Sequence, residues 1–352
     1  MNQAAVGREA AVAAMAEWLA GGGPEHWIVE TSGSTGKPKR VMLSRAAMKA
    51  SAAASARRVG ASGQWLLMLP ETYVAGANVI ARSLLAGHEP VIFSPRFATF
   101  ADAVAAMGEG PRFVSMVPTQ LHRLLEAGGA ERDALAEFHT VLLGGGPIDP
   151  SLRARADDAG IRVMATYGSA ETCGGCVYDA LPLDGVEVAI GADGRVRISG
   201  PTLFDGYQDD PEQTANALVD GWFLTADAGA VDDDGRLRIL GRVDDLVITG
   251  GVKVPAALVA RRLREHPAVE AAEALGTPDE EWGQRLVAFV VGDIDADGVR
   301  DWVAAEHPRS WAPRQIVALP EIPLLGNGKP DRQALLALVA EQGDTVETGE
   351  SR

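Results

Sequence analysis

Short apolar runs broken by polar turns alternate, through the first half of the chain, with longer stretches in which apolar side chains recur at helical spacing. Val12, Met15, Trp18 and Leu19 fall on one face of Ala10 to Ala20 and meet a glycine stop at Gly21-Gly22-Gly23, which predicts an amphipathic helix. Trp27-Ile28-Val29-Glu30 and Val41-Met42-Leu43 read as two short strands joined by a polar, basic connection. A helix follows over Ser44 to Val59, a buried strand over Trp65 to Pro70, and an apolar stretch over Ala77 to Ala86 that is interrupted only by Arg82. Pro90 to Phe93 reads as a strand, Phe100 to Met107 as a helix and Phe113 to Val117 as a strand. The hydroxyl of Thr119 is expected to cap a helix over Gln120 to Ala127. Thr140 to Leu143 and Ile161 to Ala165 add two strands, and alternation of this kind predicts an α/β domain with a partly parallel sheet.

The pattern changes downstream. Gly185 to Ile198 alternates with a period of two around Asp193-Gly194, a hairpin signal consistent with a small β subdomain. A helix over Ala256 to His266, a strand over Leu286 to Val291 and a helix over Gln333 to Glu341 predict a small α+β domain at the C-terminal end. The organisation expected is therefore a large domain over 1–243, a small one over 244–342 and a disordered tail over 343–352.

Composition narrows the function classes. With 352 residues and 47% apolar content the chain can bury more than one core. A net charge of -16 argues against a nucleic-acid partner, which needs a concentrated basic face. No apolar run is long enough to span a bilayer, and Arg8, Glu9 and Glu17 interrupt the alanine-rich start, so a cytoplasmic protein without a membrane partner is expected. Cys173 and Cys176 lack the further ligands a structural zinc site requires and read as small buried side chains lining a pocket. Asp232-Asp233-Asp234-Gly235 lacks EF-hand spacing and reads as a hairpin turn.

The chemistry concentrates first in Thr31-Ser32-Gly33-Ser34-Thr35-Gly36-Lys37-Pro38-Lys39. Hydroxyl donors, two glycines that let backbone N–H groups turn inward, and two lysines make a loop suited to phosphate. It is not a Walker A loop, because Gly33 and Gly36 stand too close and Pro38 occupies the Ser/Thr position. The nonapeptide resembles the signature phosphate loop of the adenylate-forming enzymes, the group of acyl- and aryl-CoA synthetases, adenylation domains and luciferases.

Further segments carry the same resemblance in order. Gly144-Gly145-Gly146 follows a strand where the family places nucleotide and acyl group. Thr166-Tyr167-Gly168-Ser169-Ala170-Glu171-Thr172 resembles the motif whose aromatic ring packs on adenine and whose glutamate holds Mg2+. Ala170 stands where a hydroxyl is usual, and Ser169, Thr172 or a water is expected to replace it. Trp222 to Asp227 resembles the motif whose aspartate binds the ribose hydroxyls, with Ala226 in place of glycine. Gly241 to Val254 assigns by resemblance a nucleotide contact to Arg242, a hinge to Asp244 and a CoA channel to Gly250 and Gly251. Gly326-Asn327-Gly328-Lys329 resembles the loop of the mobile lysine that enters the site during adenylation.

The resemblance implies the adenylate-forming fold, here short at its N-terminus, with a mobile C-terminal domain. It implies ATP, Mg2+ and CoA as cofactor and cosubstrates, and a small-molecule carboxylate as substrate. Lys329 and Glu171 would be catalytic. Thr31, Ser32, Gly33, Ser34, Thr35, Gly36, Lys37, Gly144, Gly145, Tyr167, Asp227 and Arg242 would hold ATP. Tyr73, Arg82, Gly146 and Gly168 would face the acid. Tyr73-Val74-Ala75-Gly76, Arg82 and Glu171 to Cys176 look most like actinobacterial o-succinylbenzoate-CoA ligases of menaquinone synthesis, with Arg82 for the acid's free carboxylate. A generic aryl or fatty acid-CoA ligase, an adenylation module that loads a carrier protein, and a nucleotide-binding homologue without turnover are the alternatives, and a homodimer is compatible with each.

Overall fold

A computed structural model describes residues 3–31, 39–94, 96–324 and 330–344, the side chains of 3–6, 244 and 340–344 excepted. Two compact units emerge from its contacts. The first comprises Met1–Ala189, Arg197–Thr225 and Val231–Leu237, and the second Ile190–Val196, Ala226–Ala230 and Arg238–Arg352.

The first unit is built on a seven-stranded sheet. Its spatial order is Val91–Ile92, Gln64–Leu67, Arg112–Met116, Thr140–Leu143, Val163–Ser169, Gly174–Tyr178 and Leu181–Pro182. Pairing is parallel from Val91–Ile92 through Val163–Ser169 and antiparallel for the last two strands. The parallel strands are covered on both faces, which is why Thr140–Leu143 is buried at every position and shows no alternation. One core joins Leu66, Val114, Met116, Val141 and Leu143 to Phe100, Leu121, Leu135 and Phe138 of the flanking helices and turns.

Several expectations are met, some with shifted ends. The first helix spans Gln3–Leu19 and stops before Gly21, whose φ is 103°. His26–Glu30 and Arg40–Ser44 pair antiparallel in register Glu30 to Arg40, so the two flanks of the phosphate-loop segment do meet as a hairpin. Ser44 caps Arg45–Val59 by accepting from the Ala47 N–H at 3.2 Å. Asp232 to Gly235 is a turn between strands, with Gly235 at φ 75°.

Thr119 does not cap a helix. The helix is Pro118–Ala127, with proline at its first position and Val117 as the cap residue. Proline fits there because its missing N–H is one the helix could not satisfy anyway. The Gln120 side chain reaches back to accept from the Val117 N–H at 3.0 Å. Likewise, the strand expected over Ile161 to Ala165 runs instead over Val163–Ser169, its second half held by antiparallel pairing to Gly174–Tyr178.

A five-stranded sheet has the order Glu187–Ile190, Arg195–Ser199, Trp222–Val231, Leu218–Val219, with Leu237–Arg242 also pairing Trp222–Val231. The second unit contains another five-stranded sheet. Its long hairpin, Val269–Asp279 against Gly283–Gly292, packs under the helix Ala256–Arg264 through Val259, Leu263, Ala274 and Leu286. Val287, Phe289 and Val317 form a second patch with Leu335 and Val339 of the helix Arg332–Asp344. Among the described residues no helix is long and apolar enough to cross a membrane.

Candidate active site

The site in the first unit lies at the carboxyl ends of its parallel strands, where open α/β sheets place ligands. Gly144 follows Thr140–Leu143 and passes so close to its neighbour that a Cβ would stand 2.4 Å from Thr166 Oγ1. Gly168 is equally constrained, since a Cβ there would lie 2.1 Å from the Gly174 carbonyl oxygen. Gly145 adopts φ 77°, while a side chain on Gly146 would meet open space. Glycine thus keeps two strand ends together and a third position open. Tyr167 lies on the same strand as Gly168, paired with Val177.

Glu171 sits in the short 3-10 turn Ala170–Thr172 and is only 8% exposed. Its Oε1 accepts a 2.8 Å hydrogen bond from the Tyr207 hydroxyl, and its backbone carbonyl accepts from the Phe204 N–H at 2.9 Å. Burial first, and then the Glu171 charge, push the Tyr207 phenol far above its usual range, so Tyr207 stays a donor. Lys39 carries its ammonium 5.0 Å from the Tyr207 ring centre. Tyr207 was not legible as a site residue. Its one signal is an aromatic beside a glycine in an aspartate-rich stretch, which also fits an ordinary turn.

The hydroxyl missing at Ala170 narrows to one protein candidate. Thr172 Oγ1 is consumed locally, accepting from the Ser169 N–H at 2.8 Å and donating to the Gly174 carbonyl at 2.8 Å. Ser169 Oγ is buried with no partner among the described residues. Cys173 and Cys176 are fully buried, and burial pushes both thiols up to about 12, so they remain protonated packing groups.

Thr31 and Lys39 close the neck of the phosphate-loop segment by a 3.0 Å bond from the Thr31 N–H to the Lys39 carbonyl. Thr31 Oγ1 is buried without a partner among the described residues. Ser32, Gly33, Ser34, Thr35, Gly36 and Lys37 lie outside the described residues, as does Lys329.

Arg82 is buried, and no carboxylate pairs with it among the described residues. It occupies the last turn of the helix Val74–Leu85 and is 7% exposed. Its guanidinium lies over the Trp65 ring, 5.3 Å from the centre, and its Nε has no hydrogen-bond partner among the described residues. Tyr73, the residue before that helix, is 44% exposed. A buried cation without a counter-charge costs several kcal/mol, on the order of 3–5, unless a ligand supplies the anion.

The second unit holds the remaining candidates. Asp227 Oδ1 lies 3.4 Å from the Arg242 guanidinium. Asp244 belongs to the 3-10 turn Val243–Asp245, its side chain lying outside the described residues. Gly250 and Gly251 adopt φ 55° and 80° between Leu246–Thr249 and Val252–Pro255, and a Cβ on Gly250 would stand 2.6 Å from the Trp282 ring. On either side of the segment that carries Lys329 in sequence, Leu324 bridges Pro330 and the Asp331 N–H donates to the Pro323 carbonyl at 2.8 Å. Arg332 then makes a two-pronged ion pair with Asp245, the second prong 3.1 Å long.

The chemistry of this donor set fits Mg2+. Glu171 offers a hard, buried oxygen, and among the described residues no cluster of three or more His, Cys, Asp or Glu could cage a metal. Mg2+ characteristically takes one or two carboxylates together with substrate phosphates and keeps several waters.

The chain is also similar to known proteins. The model of the AMP-binding enzyme family matches residues 27–208, and that of the AMP-binding enzyme C-terminal domain matches residues 259–329. A probable 2-succinylbenzoate–CoA ligase of Mycobacterium tuberculosis is 41% identical over 328 residues, 90% of this chain and 85% of that protein. A 2-succinylbenzoate–CoA ligase of Bacillus cereus is 31% identical over 339 residues, 89% of this chain and 70% of that protein. Among solved structures, the o-succinylbenzoate CoA synthetase of Bacillus subtilis in complex with the acyl-adenylate intermediate is similar at a TM-score of 0.71 and 27% identity, covering 88% of this chain and 68% of that one.

Proposed function

The chain belongs to the family of AMP-binding enzymes, and from that premise we propose how its residues carry out the reaction of an AMP-forming acid–CoA ligase on o-succinylbenzoate. The acid's carboxylate attacks the α-phosphorus of ATP, forming a mixed anhydride and expelling pyrophosphate. The CoA thiol then attacks the acyl carbon, forming the thioester and expelling AMP. Activation is required because a carboxylate is a poor acyl donor, whereas AMP leaves readily.

In this reading the loop over Thr31 to Lys37 cradles the phosphates, with Lys39 at its neck. Gly144 to Gly146 and Tyr167-Gly168 receive the nucleotide and the acyl group, and Asp227 with Arg242 binds ribose and phosphate. Mg2+, held by Glu171, would offset charge on the phosphate oxygens. Lys329 supplies a compact positive charge on a flexible stem during adenylation. A boundary near Asp244 then lets the small domain, 244–342, bring Gly250 and Gly251 to the thiol. Cytoplasmic residence, where ATP and CoA are held, and assembly as a homodimer rest on the family resemblance alone.

Arg82 is the observation that carries the choice of acid. A ligase for a monocarboxylic acid needs no second anion site, whereas this chain buries a cation beside Trp65 that has no carboxylate partner among the described residues. The test is pyrophosphate release across a panel of carboxylic acids, with and without CoA. The expected result is preference for o-succinylbenzoate over its analogue lacking the aliphatic carboxylate, with AMP and thioester formed only when CoA is present. Equal turnover of both acids, or indifference to free CoA, overturns the assignment.

A further inference from the structure

Glu171 is tied to one short segment at two levels. Its backbone carbonyl accepts from the Phe204 N–H, and its Oε1 accepts from the Tyr207 hydroxyl at 2.8 Å. No hydrogen bond to Oε2 is present among the described residues. The segment itself is held firmly. Tyr207 pairs with Val41 in the strand Arg40–Ser44, and the Asp205 and Gln208 N–H groups donate to the Met42 and Arg40 carbonyls at 3.0 and 2.8 Å. The Tyr207 N–H donates to Thr214 Oγ1 at 2.8 Å. The ring is fixed too, edge-on to Phe204 at 5.0 Å and beneath the Lys39 ammonium.

We propose that Tyr207 is a positioning residue for the nucleotide's divalent cation: its hydroxyl pins one oxygen of Glu171 and so presents the other to the metal. Fixed to the strand Arg40–Ser44, the hydroxyl also ties that carboxylate to the backbone of a neighbouring sheet. A carboxylate free to rotate would offer either oxygen, or both, and would lose the single geometry an octahedral ion demands. This inference rests on the reading of Glu171 as the metal ligand, and the experiment separates the two.

Tyr207→Phe removes the O–H and keeps the ring. Mn2+ binding to the full chain, followed by electron paramagnetic resonance in the presence of α,β-methylene-ATP, reads the site without turnover. The dissociation constant should rise ~10-fold, the lower end of what losing an outer partner of a metal ligand costs. The Mg2+ concentration that half-saturates pyrophosphate release should rise in the same proportion, while kcat at saturating Mg2+ changes less. Parental Mn2+ affinity in Tyr207→Phe, alongside weakened binding in Glu171→Gln, overturns the role of Tyr207 and leaves Glu171 as the ligand. Parental affinity in both variants overturns the metal assignment itself. A melting temperature lowered by more than ~5 °C in Tyr207→Phe, about 4 kcal/mol at ~2.1 cal/mol/K per residue, also overturns the proposal by marking the bond as structural.

Discussion

Arg82 and Arg332 carry the same charge and meet opposite fates. Arg82, in the first unit, is 7% exposed and has an aromatic ring beside it but no carboxylate partner among the described residues. Arg332, in the second unit, has a half-exposed side chain and is gripped by both oxygens of Asp245, a bond that pushes its already high pKa further up. One cation is costly and has no counter-charge among the described residues. The other is satisfied before any ligand arrives. The difference separates residues kept for a substrate from residues kept for the scaffold, and it does so by charge accounting rather than by motif.

The most severe test lies next to the satisfied cation. Lys329 precedes Arg332 by three residues in sequence, between the bridged residues Leu324 and Pro330. Lys329→Ala should slow adenylate formation by ~10²–10³-fold, the loss typical of a preorganised charge donor. Thioester formation from supplied acyl-adenylate should survive. Equal loss of both half-reactions would place Lys329 with the scaffold instead.

Arg82→Met is expected to show a smaller and more diagnostic effect. A hydrogen bond to a charged group contributes ~1.5–3 kcal/mol, so KM for o-succinylbenzoate should rise roughly 10- to 100-fold, with little change for an aryl acid lacking the second carboxylate. Stability should move the other way. Replacing a buried, unpaired cation by an apolar chain of similar length should leave the melting temperature unchanged or raise it. A clear fall in melting temperature with uniform KM changes would show that Arg82 is answered by the fold after all.

Much of this was legible in sequence, and the limits have identifiable causes. The hairpin flanking Thr31 to Lys39 and the turns at Asp193-Gly194 and Asp232 to Gly235 could be read because local chemistry sets them. Val269–Asp279 was missed because Glu270-Ala271-Ala272-Glu273-Ala274-Leu275 has helical composition, and only pairing along Gly283–Gly292 makes it a strand. The strand Val163–Ser169 was cut short because its second half is stabilised by an antiparallel neighbour that no local pattern announces. Within the site, motif positions were recoverable but their partners were not. Nothing near Tyr207 in sequence points to Glu171, 36 residues away, and nothing near Arg82 indicates that carboxylates are missing around it.

Arg332→Ala should have the smallest effect and closes the contrast. The pair with Asp245 is partly solvated, with side-chain exposures of 49% and 19%, so it belongs near the range for surface pairs, ~0.2–1 kcal/mol. The same bond nonetheless joins the 3-10 turn Val243–Asp245 to the start of Arg332–Asp344, three residues after Lys329 in sequence. Losing it should slow adenylation only a few-fold, through looser placement of Lys329. Raised salt should shrink the difference from the parent as screening weakens the intact pair. Arg332→Lys keeps the charge but not the planar fork, so it should recover stability only in part. Half-reaction rates and melts of the two variants at low and high salt decide the matter. A loss in Arg332→Ala rivalling that of Lys329→Ala would mean that this arginine acts on the substrate, and the distinction between the answered and unanswered cation would fail.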